Sequence, residues 1–128
     1  MALARRLAET LSPGAVVALD GDLGAGKTHF VKGLAAGLGI PPETVRSPTF
    51  TILHEYTDGR LPLYHFDAYR IGDPSEFEAI GFAEYAYGDG ITVVEWAERV
   101  ADLLPPDTLR LRLTHVSPHE RRIERVGG

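Results

Sequence analysis

Residues 21–28 read Gly-Asp-Leu-Gly-Ala-Gly-Lys-Thr, and this stretch decides the fold class. It satisfies the pattern Gly-x-x-x-x-Gly-Lys-Ser/Thr of a phosphate-binding loop. The apolar residues 15–19 before it read as a short buried strand, and residues 28–38 after it read as a helix. Strand, loop and helix in this order are the context that the motif requires. The alternative is a glycine-rich turn between a strand and a helix that binds no ligand.

The residue types in this loop suit a bound phosphate chain. Glycines let the backbone approach an anion without a Cβ clash, and successive N–H groups then point into one concavity at a helix N-terminus. Lys27 can add a positive charge at the β- and γ-phosphates, and the hydroxyl of Thr28 can ligate Mg²⁺. We therefore predict a nucleoside di- or triphosphate bound by Gly21, Asp22, Leu23, Gly24, Ala25, Gly26, Lys27 and Thr28.

Length and composition restrict the class of protein. The 128 residues are expected to form a single domain over 1–128. The net charge of -5 argues against tight direct binding of tRNA or DNA, which is driven by basic surfaces. The chain has no cysteine, which excludes disulfides, and no apolar stretch as long as a membrane span. A cytoplasmic protein without a membrane anchor is the expectation.

The apolar patterning predicts an α/β fold. We expect a P-loop NTPase-like, mostly parallel central sheet flanked by helices, with antiparallel hairpins added. The strand over 91–94 should lie beside the strand over 15–19, which would place Glu95 next to the phosphate loop. The predicted helices are 1–11, 28–38, 74–80, 82–87 and 95–104; the predicted strands are 15–19, 91–94, 108–115 and 122–126, with a hairpin over 49–67 that turns tightly at Asp58-Gly59.

Two acidic residues are candidates for the chemistry that a phosphate loop alone cannot perform. Glu95 directly follows an apolar strand, as a Walker-B carboxylate does, and could meet Mg²⁺ or orient the attacking water. It could instead be an exposed residue in the first turn of a helix. Asp67 ends the second hairpin strand, two residues after His65 and on the same face, and could order a metal-bound water or act as a base. A turn residue at the end of the strand is its alternative.

Two further residues are weaker candidates. Thr49 lies in a Ser-Pro-Thr segment between the loop helix and the hairpin, where many small nucleotide-binding proteins have a switch that contacts the γ-phosphate. The same tripeptide is also common in turns. Trp96 is the sole tryptophan and follows Glu95, and packing competes with nucleotide recognition as its role.

Four motifs together resemble the TsaE (YjeE) family, the small bacterial ATPases of tRNA threonylcarbamoyladenosine biosynthesis. They are the loop at 21–28, Ser-Pro-Thr-Phe at 47–50, His-Phe-Asp-Ala-Tyr-Arg at 65–70 and Val-Glu-Trp at 94–96. Many proteins share the loop, whereas the four motifs in this order and spacing are specific. The resemblance extends over nearly the whole chain.

The resemblance implies an ATPase that binds ATP or ADP with Mg²⁺ and is weak alone. It implies a complex with TsaD and TsaB, the proteins that transfer threonylcarbamoyl onto adenosine 37 of tRNAs, and hydrolysis that drives or resets that cycle. In the motifs, Lys27 and Thr28 match the loop lysine and the magnesium ligand, and Asp67 and Glu95 match the catalytic and metal-site acids. Thr49 matches the switch threonine and Trp96 the tryptophan beside the nucleotide.

Two other functions stay open on the residues alone. A small-molecule kinase could use the same loop with Asp67 as its base, although residues 97–128 contain no obvious arginine-rich lid. A non-hydrolytic switch could use nucleotide binding to change its affinity for a partner. Turnover separates the ATPase from the switch.

Overall fold

In the computed structural model, the described residues are 2–21, 27–45, 53–69, 71–117 and 120–125. The helices are Ala2–Thr10 (α1), Lys27–Gly37 (α2), Pro74–Ala79 (α3) and Phe82–Ala86 (α4). The strands are Val16–Gly21 (β1), Leu53–Tyr56 (β2), Leu63–Asp67 (β3), Ile91–Glu95 (β4), Leu109–Ser117 (β5) and Glu120–Arg125 (β6). Short 3-10 segments cover Pro42–Thr44 and Ala97–Leu103. None of the described helices is long and apolar enough to cross a bilayer.

The described strands form one sheet in the order β2-β3-β4-β1-β5-β6. The four inner strands are parallel to one another, and β2 and β6 add antiparallel edges. This confirms the predicted sheet, including the position of β4 beside β1, where Val17 is paired with Val93. The carboxyl ends of β1, β3 and β4 therefore meet at the same edge, where ligands of such sheets bind.

Two apolar cores cover the two faces of the sheet. On one face, α1 and α2 pack against β1 and β4 through a cluster that includes Val17, Leu19, Phe30, Leu34 and Val93. On the other face, α3, α4 and the 3-10 segment pack through a cluster that includes Ala18, Phe66, Phe77, Phe82 and Val94. All five residues of β4 are buried, as expected of a central parallel strand with both faces covered.

The connection between β2 and β3 is longer than predicted. The prediction of a tight turn at Asp58-Gly59 is wrong, because six residues separate Tyr56 from Leu63. The backbone N–H of Arg60 donates to the Leu38 carbonyl at 2.8 Å, and its guanidinium donates to the Ala8 carbonyl at 2.9 Å. The loop thus satisfies carbonyl groups near the ends of α1 and α2, which local turn preferences cannot reveal.

The segment after β4 also differs from its prediction. Glu95 is the last residue of the strand, not the first of a helix, and it is only 4% exposed. Trp96 then adopts a left-handed backbone conformation with φ of 56°, and helical structure begins at Ala97 as 3-10 turns. The alternative in which Glu95 is an exposed residue of a first helical turn is therefore wrong.

Gly21 and Gly39 offer a matched test of how closely β1 approaches β5. Gly21 has φ of +142°, and a Cβ there would lie 2.3 Å from the Leu113 carbonyl oxygen. Gly39 has φ of +82°, but the nearest atom to a Cβ built there, the Gly59 Cα, is 4.0 Å away. Gly39→Ala should lower the free energy of unfolding by about 1 kcal/mol, and Gly21→Ala by roughly 3 kcal/mol because overpacking adds to the strain. Denaturant titration measures both, and equal losses would contradict the close approach.

Candidate functional site

Three of the predicted site residues meet at the carboxyl edge of the sheet. Asp67 ends β3 and is paired in register with Glu95, which ends β4. Glu95 is in turn paired with Leu19 of β1, whose side chain belongs to the core beneath α2. Because side chains directly opposite in neighbouring strands lie on the same face, both carboxylates lie on the α2 side of the sheet. Lys27, the first residue of α2, is 5% exposed and approaches from that side.

Lys27 has its ammonium group held where the phosphate loop begins. Its Nζ donates to the Gly21 carbonyl at 2.7 Å and lies 3.5 Å from the centroid of the Trp96 ring, within the range of a cation–π contact. Burial lowers the pKa of Lys27 because it disfavours the charged form. The carboxylates that oppose this shift are those of Glu95, Glu98, Asp67 and Asp20. The acids outnumber the lysine, so a bound polyphosphate would need a further positive charge.

Trp96, which contacts the loop lysine, is half-buried. A tryptophan with φ of 56° is uncommon, and such strained conformations are concentrated at functional sites. Its ring contacts Tyr69 with the centroids 4.9 Å apart, and the Arg99 guanidinium lies 5.5 Å from the Tyr69 ring. Trp96 therefore packs against Tyr69 and also contacts Lys27.

Asp67 is partly buried, and its pKa is raised. Burial is the main cause, and the nearby carboxylate of Glu95 adds to it. The backbone N–H of Tyr69, which donates to Oδ1 of Asp67 at 2.8 Å, works in the opposite direction. A carboxylate with a raised pKa binds a proton more readily, which is the property required of a general base.

Glu95 has a buried partner that is not among the residues predicted from sequence. Nε2 of His65 lies 2.5 Å from Oε2 of Glu95, and His65 is fully buried in the middle of β3. The position of His65 two residues before Asp67 places it on the same face, as expected from the strand period. Its contact with Glu95 requires that β3 and β4 be neighbours, which the sequence does not specify.

A second acidic pair, also absent from the predicted site, lies beside the first glycine of the loop. Asp20 accepts hydrogen bonds from the Glu98 backbone N–H at 3.1 Å and from the Arg110 guanidinium at 3.3 Å. Burial and a hydrogen bond with Asp20 raise the pKa of Glu98. The pair borders a cleft of about 360 Å³, which reaches from Gly21 and Trp96 to β5. Lys27, Asp67 and Glu95 are not among the residues that line this cleft.

The donor groups at this edge fit Mg²⁺ that arrives with a nucleotide. Within the described ranges, no group of three or more His, Cys, Asp or Glu side chains could hold a metal unaided. Mg²⁺ usually binds proteins through one or two carboxylates together with substrate phosphates and water. Thr28, Asp67 and Glu95 would supply a hydroxyl and two carboxylates, all of which are hard oxygen donors.

Several predicted site residues lie outside the described residues. They are Asp22, Leu23, Gly24, Ala25 and Gly26 of the loop, and Thr49 of the proposed switch. Thr28 is described, as the second residue of α2, and is half-buried. The structure describes the remaining predicted site residues, which are Gly21, Lys27, Thr28, Asp67, Glu95 and Trp96.

Comparison with known proteins identifies the family. The model of "Threonylcarbamoyl adenosine biosynthesis protein TsaE" matches residues 1–123. The chain belongs to the TsaE family. TsaE of Bacillus subtilis is 49% identical to this TsaE-family chain, over 95% of this chain and 75% of its own length. TsaE of Treponema pallidum is 51% identical, over 88% of this chain and 82% of its own length.

A solved structure agrees with this assignment. The crystal structure of Bacillus subtilis YdiB matches with a TM-score of 0.79 and 44% sequence identity, covering 95% of this chain and 74% of that one. The family resemblance and the P-loop α/β fold are thereby confirmed. This TsaE-family protein has a role in tRNA threonylcarbamoyladenosine biosynthesis, and its family and fold indicate nucleotide binding.

Replacing Asp67 with asparagine should stabilise the protein near neutral pH. Because its folded-state pKa is raised, the contribution of Asp67 to stability is complete below the unfolded pKa of about 3.9 and is lost as the pH rises through the folded value. The Asp67→Asn variant should therefore melt at a higher temperature than wild type near pH 7 and at the same temperature near pH 3. Asp102→Asn, on the exposed surface of the 3-10 segment, is the control. A gain for Asp67→Asn that does not change with pH would contradict this cause.

Proposed function

We propose that this chain is the Mg²⁺-dependent ATPase component of the threonylcarbamoyladenosine system, a single P-loop domain over residues 1–128. The observation that carries the proposal is the convergence of Lys27, Asp67 and Glu95 at the carboxyl edge of the parallel sheet. This edge combines a helix N-terminus and an ammonium for phosphates with two carboxylates for a metal and a water.

The residues divide the work of ATP hydrolysis between them. The loop 21–28 and Lys27 bind the β- and γ-phosphates, and Trp96 lies against the bound nucleotide. Thr28, Glu95 and Asp67 would hold Mg²⁺, which neutralises charge on the phosphate oxygens when it is bound. Asp67 also orients the attacking water and accepts its proton. The water oxygen bonds to the γ-phosphorus, the bond to the bridging oxygen breaks, and ADP and phosphate leave.

The partners that we propose are TsaD- and TsaB-like proteins in the cytoplasm. The free protein would hydrolyse ATP weakly, and the complex would stimulate it, so that hydrolysis drives or resets the cycle of the partner transferase. Thr49 would sense the γ-phosphate in the complex. The net charge of -5 supports contact with tRNA through the complex instead of tight direct binding.

Phosphate release measured with and without the TsaD- and TsaB-like partners tests the proposal. We expect slow release by the free protein, faster release in the complex, and dependence on Mg²⁺. Saturable ATP binding without release in the complex would instead indicate a nucleotide switch. ATP-dependent phosphorylation of a nucleoside or sugar from a panel of acceptors would indicate a kinase. Either of these results would overturn the ATPase assignment.

A further inference from the structure

His65 is a buried polar residue in an apolar setting. It is fully buried in β3, where it is paired in register with Val93 of β4. Its neighbours in the sheet on that face belong to the core under α2, including Leu63, Ile91 and Val93. Among the described residues, its Nδ1 has no hydrogen-bond partner. An unsatisfied buried nitrogen opposes folding, so an aliphatic side chain would suit the packing better.

The contact that His65 makes with Glu95 supplies a reason for an imidazole at this position. An ionised carboxylate can only accept hydrogen bonds, so Nε2 of His65 is the donor to Oε2 of Glu95 at 2.5 Å. Hydrogen bonds to charged groups are shorter and stronger than those between neutral groups. Because Glu95 is itself 4% exposed, this bond restricts its side-chain rotation and leaves Oε1 uncommitted by the imidazole.

We propose that His65 is a positioning residue, which holds the Glu95 carboxylate in the orientation that the metal–nucleotide complex requires. The inference rests on the proposed function, since it assigns Glu95 to the metal side of the ATP site. It adds a residue that acts through Glu95 and contacts neither phosphate nor water. Partners that orient a metal ligand in this way typically change metal affinity or activity by about 10- to 100-fold when they are replaced.

Three variants separate positioning from packing. His65→Leu fills the buried space without a donor. His65→Gln places an amide N–H near the original Nε2. His54→Leu, on the neighbouring strand β2 and paired with His65 in register, is the matched control for the loss of a histidine from the sheet. If His65→Leu does not fold by thermal melting, His65→Asn takes its place, because its amide is too short to reach Glu95.

Two readouts are needed, calorimetric ADP binding over a range of Mg²⁺ concentrations and the kcat and KM for ATP in the partner complex. We expect His65→Leu to bind ADP with wild-type affinity in the absence of Mg²⁺. It should need a roughly 10- to 100-fold higher Mg²⁺ concentration for the same increase in ADP affinity, and its kcat should fall with little change in KM. His65→Gln should recover most of both losses, and His54→Leu should match wild type.

Two results would overturn the role of His65. One is a Mg²⁺ dependence and kcat of His65→Leu equal to those of wild type; the other is His65→Gln failing as badly as His65→Leu. If the wild-type complex releases no phosphate, the proposed ATPase function has failed. The Mg²⁺ dependence of ADP binding would then still decide between positioning and packing, so the two failures can be told apart.

Discussion

Replacing Lys27 with alanine should strongly weaken nucleotide binding. The ammonium lies at the start of the loop, hydrogen-bonded to the Gly21 carbonyl and over the Trp96 ring. A hydrogen bond to a charged group contributes about 1.5–3 kcal/mol, and each 1.4 kcal/mol is tenfold, so we expect a loss of about 10- to 100-fold in affinity. Titration calorimetry with ADP and with ATP measures it.

The chain supplies a matched control for this variant. Lys32 is the only other lysine and lies farther along α2. Lys32→Ala should keep the wild-type affinity, because its side chain is one turn removed from the loop. Both variants should be confirmed as folded by their thermal melts. Wild-type affinity in Lys27→Ala, or equal losses in the two variants, would show that this loop does not bind the phosphates as described.

Replacing Asp67 with alanine should spare nucleotide binding and remove turnover. Asp67 is paired with Glu95 at the edge of the sheet, and its raised pKa suits a residue that takes a proton from water. General bases contribute about 100- to 10,000-fold, so kcat in the partner complex should fall by that factor. Asp102→Ala, an exposed carboxylate on the 3-10 segment, is the control. Hydrolysis by Asp67→Ala at the wild-type rate within the assembled complex would remove Asp67 from the mechanism.

The elements that the sequence predicts well are those set by local patterning. The buried strand β1, the helix α2 and the strand β4 follow from apolar runs and glycine-rich boundaries, and they are confirmed with shifts of one or two residues. The predictions are wrong where contacts between residues distant in the sequence determine the local structure. Arg60 draws the β2–β3 loop onto the Leu38 and Ala8 carbonyls, and Glu95 is kept in the strand by pairing with both Leu19 and Asp67.

The site divides in the same way. Lys27 is identified by its motif, and Glu95 by its position after a buried strand. Three long-range contacts around them are not visible in the sequence: His65 meets Glu95 across 30 residues, and Asp20 meets Glu98 and Arg110 across 78 and 90 residues. Such pairs depend on the order of the strands, which local patterns do not contain. Asp67 is predicted as a site residue by the family motif, since its position in the sequence alone also fits a turn residue.

The most direct test of the nucleotide site is the fluorescence of Trp96, the sole tryptophan, during titration with ADP and ATP in the presence and absence of Mg²⁺. The Lys27 ammonium lies 3.5 Å from the centroid of the Trp96 ring. When a phosphate chain binds this ammonium, its contact with the ring weakens, and the emission of Trp96 should shift. We predict a saturable change for both nucleotides, with Mg²⁺ altering the affinity for ATP. Emission that stays constant up to millimolar nucleotide would contradict a phosphate site between Lys27 and Trp96.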